Sequence, residues 1–534
     1  MKYSCVQLTD LADEILMIIF NQLHNVEALY SLIGVNKRLN KILHDPTFTC
    51  VLTLMDYSVD GSISSLPYPM FHRFCSQILP QIHHKIQWLH LELLTMDAIL
   101  LSANYPNLYG LGLYGLKMRK VTYLFTDESS IYRFKNQISS LIIDIAESDE
   151  ANSLEIIRFI FTHLCAMFTN LRYLNFGPSL SKCQQLSLGT SSLAVVSSTI
   201  SELHICVPCF MDCLYLLDGR FNQLHTLYVY ITFIYVPQET INNKEKLPNL
   251  RSFSLYCETD TDLYDDLVVP LLHRMSNLEK LHLHLNVIDR QTFIEGDDLK
   301  RNIINHLSRL HSFTFNIKSF ASLYNQTDLS SKDDIQQSFK DFKYNQIISC
   351  VDDFPTSRYN QCHVYSYPYE WKCYIKITNN FLGGLFKCVH EVSLFDERPF
   401  EHEFFLQIAQ SFPFMKKLTI TNRKAQVNKQ RRKTKNEDEH LSIINYNHLT
   451  ELRFFQAHED YLEEFLLNTK TCLLNNVYLF VGRELLEKVT DNFTRDALRL
   501  NCSKIIYCYS EYITQLEKDV KDYFFHTDIR SWFT

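Results

Sequence analysis

Two sets of metal-ligand types stand out first. His282-Leu283-His284 places imidazoles at alternate positions of an apolar run, so a strand there points both to one face. Neutral imidazoles so placed could ligate zinc, but no third ligand stands nearby. Cys206, Cys209 and Cys213 are spaced three and four residues apart, yet a structural zinc site wants four ligands in paired spacing and no second cysteine pair follows at that distance. Both sets read as strand and core residues, and no metal is expected. The chain also lacks a Gly-rich phosphate loop, a serine nucleophile elbow and a paired-carboxylate motif, so neither catalytic residues nor a cofactor are expected. A basic run from Arg423 to Lys435, holding Lys424, Lys429, Arg431, Arg432 and Lys433, precedes Glu437-Asp438-Glu439. It reads either as an import tag or anionic-partner patch, or as a solvated loop whose charges change sign without an apolar anchor.

At 534 residues the chain exceeds one ordinary hydrophobic core and needs several domains or a solenoid. Apolar content of 46% and charged content of 21% mark a folded soluble chain. Only 12 glycines against 30 tyrosines and 37 phenylalanines argue against nucleotide-binding loops and for aromatic packing. A net charge of −8 leaves no nucleic-acid footprint. Cysteines lie singly within apolar runs, as reduced thiols of the cytosol or nucleus do. Met1 to Cys5 has no apolar signal core, and no stretch reaches the ~18 apolar residues of a membrane span.

The elements that would position a binding surface begin at the N-terminus. Leu8-Thr9-Asp10-Leu11-Ala12-Asp13-Glu14-Ile15-Leu16 opens a helical module and Asp45-Pro46-Thr47-Phe48 closes it. Ile15, Ile18, Ile19 and Leu23 share one helix face, and a second apolar set, from Leu29 to Leu43, is interrupted by Val35-Asn36-Lys37-Arg38. Such short helices are too small to bury a sufficient core alone, so the module is expected to dock. The pattern resembles an F-box, whose Leu-Pro-x-Glu start, Val-Cys-Lys-Arg-type turn and Asp-Pro exit correspond to Leu11-Ala12-Asp13-Glu14, Val35 to Arg38 and Asp45-Pro46. Ala12 stands where that family has proline, and Phe48 where tryptophan is common.

A second pattern runs from about residue 86, an apolar-x-x-apolar-x-apolar phrase spaced about 22 to 34 residues apart. It appears as Ile86/Leu89/Leu91, Leu108/Leu111/Leu113, Ile138/Leu141/Ile143, Leu171/Leu174/Phe176 and Ile200/Leu203/Ile205, and continues through Leu278/Leu281/Leu283 to Leu449/Leu452/Phe454. Pro106-Asn107 and Pro248-Asn249 precede two copies. Residues 318–388 break the rhythm, and two alternating runs around Pro368-Tyr369-Glu370-Trp371 read as a β-hairpin. The phrase resembles leucine-rich repeats of the ribonuclease-inhibitor-like class, although the asparagine that usually follows the strand is mostly missing, with Asn286 a lone candidate. The expected fold class is therefore α/β, a three-helix F-box over 1–50, a helical linker over 51–85 and a curved leucine-rich-repeat solenoid over 86–534, with 318–388 irregular or inserted.

On such strands the outward positions form the binding ladder: Trp88, His90, Tyr114, Tyr173, His204, Tyr228, Tyr230, Tyr256, His282, His284 and Arg453, with Asp144 and Glu202 among them. The F-box and repeat resemblance implies a substrate receptor of an SCF-type ubiquitin ligase, cytoplasmic or nuclear. It would bind a Skp-family adaptor, and through it a cullin–RING scaffold, by Leu8, Leu11, Ile15, Leu16, Ile19, Leu23, Val35 and Leu39, and hold a target protein on the repeats. The alternatives are a non-ligase scaffold with a degenerate F-box, a small-molecule receptor, and a nucleic-acid binder using the basic run.

Overall fold

The computed structural model describes residues 8, 11–57, 63–116, 121–126, 128–145, 153–177, 184–188, 197–236, 245–322, 329–428, 442–474, 476–509, 518–524 and 526–529. The chain divides into two compact units, Met1–Val287 with Leu299–Phe313 and Ile288–Asp298 with Thr314–Thr534.

The first unit opens with helices Asp13–Phe20, Asn25–Leu32, Lys37–Leu43 and Pro46–Thr49. Polar side chains set their boundaries. Asn36 caps the third helix by accepting from Leu39 N–H, and Asp45 caps the fourth by accepting from Thr47 N–H and Oγ1–H. These bonds from Thr47 hold the Asp45 carboxyl below its usual range. Arg38 ties the turn back to the first helix, donating to Asp13 Oδ1 at 2.6 Å and to the Leu11 carbonyl.

Residues 51–85, expected as a helical linker, include the strand Val51–Leu54, which pairs in parallel with Trp88–Glu92. From there the first unit builds a parallel sheet in chain order through strands starting at Gly110, Ser140, Tyr173, Glu202, Thr226, Ser252 and Lys280. One register row across it is Leu52, Leu89, Leu111, Leu141, Leu174, Leu203, Leu227, Phe253 and Leu281, every one 0% exposed. A second buried row runs two residues further along each strand, from Leu54 and Leu91 to Leu255 and Leu283. Helices cover this face; Phe161 of the helix Ser153–Met167 meets Phe176 edge-on at 5.3 Å.

The expected F-box followed by one leucine-rich-repeat solenoid is not what the strands build. Among the described residues hydrogen bonding sorts them into a mixed sheet of twelve strands, a sheet of seven and two of two strands, an α/β fold with a large mixed sheet. The physical reason lies in the irregular segment. Gln346–Phe354 and Tyr359–Tyr367 pair antiparallel, and Tyr359–Tyr367 pairs antiparallel with Ser312–Ser322, which ends the one-directional progression that a solenoid requires. The hairpin therefore turns at residues 355–358 and not at Pro368. Cys373–Ile377, expected as its second arm, instead starts the seven-stranded sheet by pairing in parallel with Glu391–Phe395.

The second unit encloses charge. Glu464 is wholly buried and receives His402 through Nδ1, Lys470 Nζ at 2.7 Å and Gln426 Nε2 at 3.4 Å. The other ring nitrogen of His402 lies 2.9 Å from the Ser442 carbonyl. Both ring nitrogens thus face acceptors, which favours the imidazolium. Its bond to Glu464 raises the His402 pKa, against the effect of burial. Burial alone would raise the Glu464 carboxyl, but His402 and Lys470 outweigh it and hold it below its usual value. The stabilisation from His402 is complete below its ordinary 6.5 and is lost as pH rises through the raised folded value. That from Glu464 is complete above its ordinary 4.5 and is lost as pH falls through the lowered one. Urea unfolding followed against pH should show the cluster's contribution greatest between those two ordinary values. Glu464→Gln should remove that maximum and cost about 3 to 5 kcal/mol within it; an unchanged pH profile would show that the cluster contributes nothing to stability.

Candidate functional site

The N-terminal helices sort their apolar residues into two sets. Leu16, Phe20, Leu29, Ile33, Leu39, Leu43 and Phe48 are buried. Leu8, Ile15, Ile19, Leu23 and Val35 are exposed, Ile15 by 46% and Val35 by 60%, and Leu11 is half-buried. Leu16 and Leu39, expected at the adaptor contact, are therefore core residues that position the rest. The expectation also omitted Ile18, which at 64% is among the most exposed apolar side chains of the first helix. Its i+3 relation to Ile15 was the available signal.

A different surface forms on the sheet of the first unit, opposite its buried rows. Trp88, Gly110, Ser140, Tyr173 and Glu202 stand in one register row, and His90, Gly112, Ile142, Asn175, His204 and Tyr228 in the next. Glycine in a strand interior weakens it unless something approaches closely. Here a Cβ on Gly110 would fall 1.9 Å from the Trp88 indole, and one on Gly112 2.6 Å from His90 Nδ1. The two glycines let both rings lie across the neighbouring strand. Trp88 then reaches Tyr173, edge-on at 6.5 Å, and packs edge-on against Tyr109 at 6.0 Å. Its Nε1–H is buried with no hydrogen-bond partner among the described residues, so packing over Gly110 and against the neighbouring rings holds the indole.

The rings continue across the sheet. His90 Nδ1 lies 3.1 Å from the Tyr114 hydroxyl, and burial lowers its pKa to about 4, so it is neutral at physiological pH. His204 stacks on Tyr228 at 4.2 Å, meets Tyr173 at 5.3 Å and bonds Glu202 Oε1 at 2.8 Å. Tyr230 stacks on Tyr256 and Tyr256 on His284, at 5.1 and 4.1 Å. Tyr230 and His284 are buried within this stack, while His282 is half-buried beside Ser254. Arg453 is not part of the surface. It belongs to the second unit's seven-stranded sheet, where it bonds Glu451 Oε1 at 2.5 Å and lies over the Phe480 ring. Tyr109, Gly110 and Gly112 were not singled out in the sequence, although glycines at outward positions beside Trp88 and His90 were a readable sign.

The cysteine spacing resolves into packing. Burial pushes the Cys206 and Cys213 thiols up to about 12, and Cys209 Sγ donates to Asp212 at 2.9 Å. Among the described residues no group of three or more metal-ligating side chains gathers, and no helix is long and apolar enough to cross a membrane. Of the basic run, Lys424 is fixed by its N–H on Asn422 Oδ1, whereas Lys429 to Lys435 and Glu437-Asp438-Glu439 lie outside the described residues. No protein-family model and no curated protein matches the chain.

Gly110→Ala should displace the Trp88 ring rather than unfold the sheet, because the overlap is with a side chain. We expect a red shift of tryptophan emission that disappears in a Trp88→Phe background, and a loss of about 1 to 3 kcal/mol in urea unfolding. An unshifted spectrum would show that the indole does not lie over Gly110.

Proposed function

We propose that this chain is a substrate-recognition subunit of an SCF-type ubiquitin ligase: its N-terminal helices bind a Skp-family adaptor, and the aromatic face of the first unit holds a target protein. The observation that carries the reading is the set of exposed aliphatic residues Ile15, Ile18, Ile19, Leu23 and Val35 on one small helical module. Exposed aliphatic clusters mark interaction sites when they are contiguous. The resemblance of Leu11 to Glu14, Val35 to Arg38 and Asp45-Pro46 to an F-box names the partner. Arg38, Asn36 and Asp45 support it locally, since their bonds fix the start, turn and exit of that motif. In this reading the chain supplies no catalytic group. It raises the target's effective concentration beside the ubiquitin-charged enzyme, in the cytoplasm or nucleus.

The test is capture of purified Skp-family adaptor by the full-length protein and by its Ile15→Glu/Ile18→Glu variant. Both side chains are exposed, so the variant should keep its circular dichroism and thermal midpoint. Adaptor affinity should fall at least about a hundredfold, in line with the loss of central contacts of an interface. Equal capture by the folded variant refutes the proposed contact, and no capture by the wild type leaves a binding scaffold outside the ligase.

A further inference from the structure

We propose that the cluster of Trp88, Tyr109 and Tyr173, with Glu202 beside it, is a recognition point for a lysine or arginine side chain in a basic segment of the target. The inference rests on the target-holding role proposed above and names the chemistry of what is held. Three aromatic rings converge here, with Trp88 edge-on to both tyrosines at 6.0 and 6.5 Å. Gly110 and Ser140 occupy the register positions between Trp88 and Tyr173, so no large side chain separates the two rings. Tyr109 is exposed, and Trp88 and Tyr173 are partly so. The face of an aromatic ring attracts a cation, and tryptophan does so most strongly.

Charge supplies the second argument. Glu202 is the direct cross-strand neighbour of Tyr173, and its side chain remains 40% exposed while one carboxylate oxygen bonds His204. The outward strand positions of this face also carry Asp144, Glu258 and a buried Glu92, and Lys280, at the far end of the row, is the one lysine or arginine at those described positions, while the exposed Arg172 precedes Tyr173. Glu92 is committed to Leu94 N–H and Ser65, and Glu258 accepts from the Tyr256 hydroxyl, so the charge argument at this point rests on Glu202. An aromatic surface edged by carboxylates fits a guanidinium or ammonium group on an extended chain, and disfavours an acidic one. The half-buried His90 is neutral and adds no opposing charge.

The experiment is fluorescence anisotropy of labelled short peptides with the full-length protein. One peptide alternates lysine and serine, one alternates arginine and serine, and one alternates glutamate and serine. The lysine or arginine peptide should bind saturably, more weakly as salt rises, and the glutamate peptide should not bind. Trp88→Leu and Glu202→Gln should each weaken binding about tenfold, the first by removing the π face and the second by removing the charge. Glu202→Gln guards against a folding artefact, because the amide keeps the shape of the side chain. Equal binding of all three peptides, absence of binding by the basic ones, or unchanged affinity in both variants overturns the site. Adaptor capture separates the two readings. Wild type that binds the lysine peptide but captures no adaptor sinks only the ligase assignment. Wild type that captures adaptor but does not discriminate the peptides sinks only the cation site.

Discussion

A strand with one apolar face is stable only when a neighbour takes its backbone groups and another element covers that face. In the first unit this requirement is met by the same arrangement at each step. The carbonyls of Cys50, Gln87, Tyr109, Ser139, Arg172, Ser201, His225 and Arg251 each accept two successive N–H groups from the start of the next strand. Side chains reinforce the joints: Asn107, Asn170, Asn249 and Asn277 donate to carbonyls of the preceding turn, those of His84, Asn136, Asn222 and Pro248. Because side chains alternate along a strand, this register puts Leu89 and Leu91 inward and Trp88 and His90 outward together. A slip of one residue would bury the indole and expose both leucines. The aromatic face is thus a consequence of how the core is registered.

The outward face shows what that fixed register permits. Its rows are not uniform, because two glycines stand beside the two rings of the strand Trp88–Glu92. A β-branched residue at Gly110 would suit the strand better but would force Trp88 upright. Further along, where no glycine intervenes, the rings instead stack strand to strand, as His204 on Tyr228 and Tyr256 on His284 do. One stretch of sheet therefore offers ring faces while another consumes them in its own packing.

These contrasts explain what was legible in the sequence. The apolar phrase located the strands of the first unit and their buried residues, since spacing alone decides which side chains of a strand share a face. It did not reveal how the sheets end. Ser312–Ser322 and Tyr359–Tyr367 are buried along almost their whole length, so their alternation carries no inside and outside to read. They are also polar. Asn316 Oδ1 accepts from His363 Nε2–H at 2.6 Å and its amide nitrogen donates to Tyr369, whose hydroxyl donates to the Cys373 carbonyl, and Lys318 donates to the carbonyl of Ile375. Buried polar groups are tolerable only when partnered, and those partners are distant in sequence. The asparagines that precede the strand were visible in part, as Pro106-Asn107 and Pro248-Asn249, but their bonds to the preceding turn were not, because the repeat pattern places its asparagine after the strand. Asn286, the one in the expected place, donates to the Glu258 carbonyl of the neighbouring strand.

The first helix poses the opposite problem, an excess of apolar surface. Asp13 and Glu14 are its polar residues, followed by Ile15 to Phe20 without interruption. A helix that is apolar all round is ordinarily buried all round. Here Leu16 and Phe20, four apart, already satisfy the module's core, and the helix's own neighbours leave Ile15, Ile18 and Ile19 uncovered. Folding of the module alone does not require those three to be isoleucine, since at exposed helix positions a β-branched residue lowers helix propensity. Removing them from water does reward their size and shape. The composition of this helix is therefore better explained by a surface that is covered in a complex than by the stability of the isolated chain.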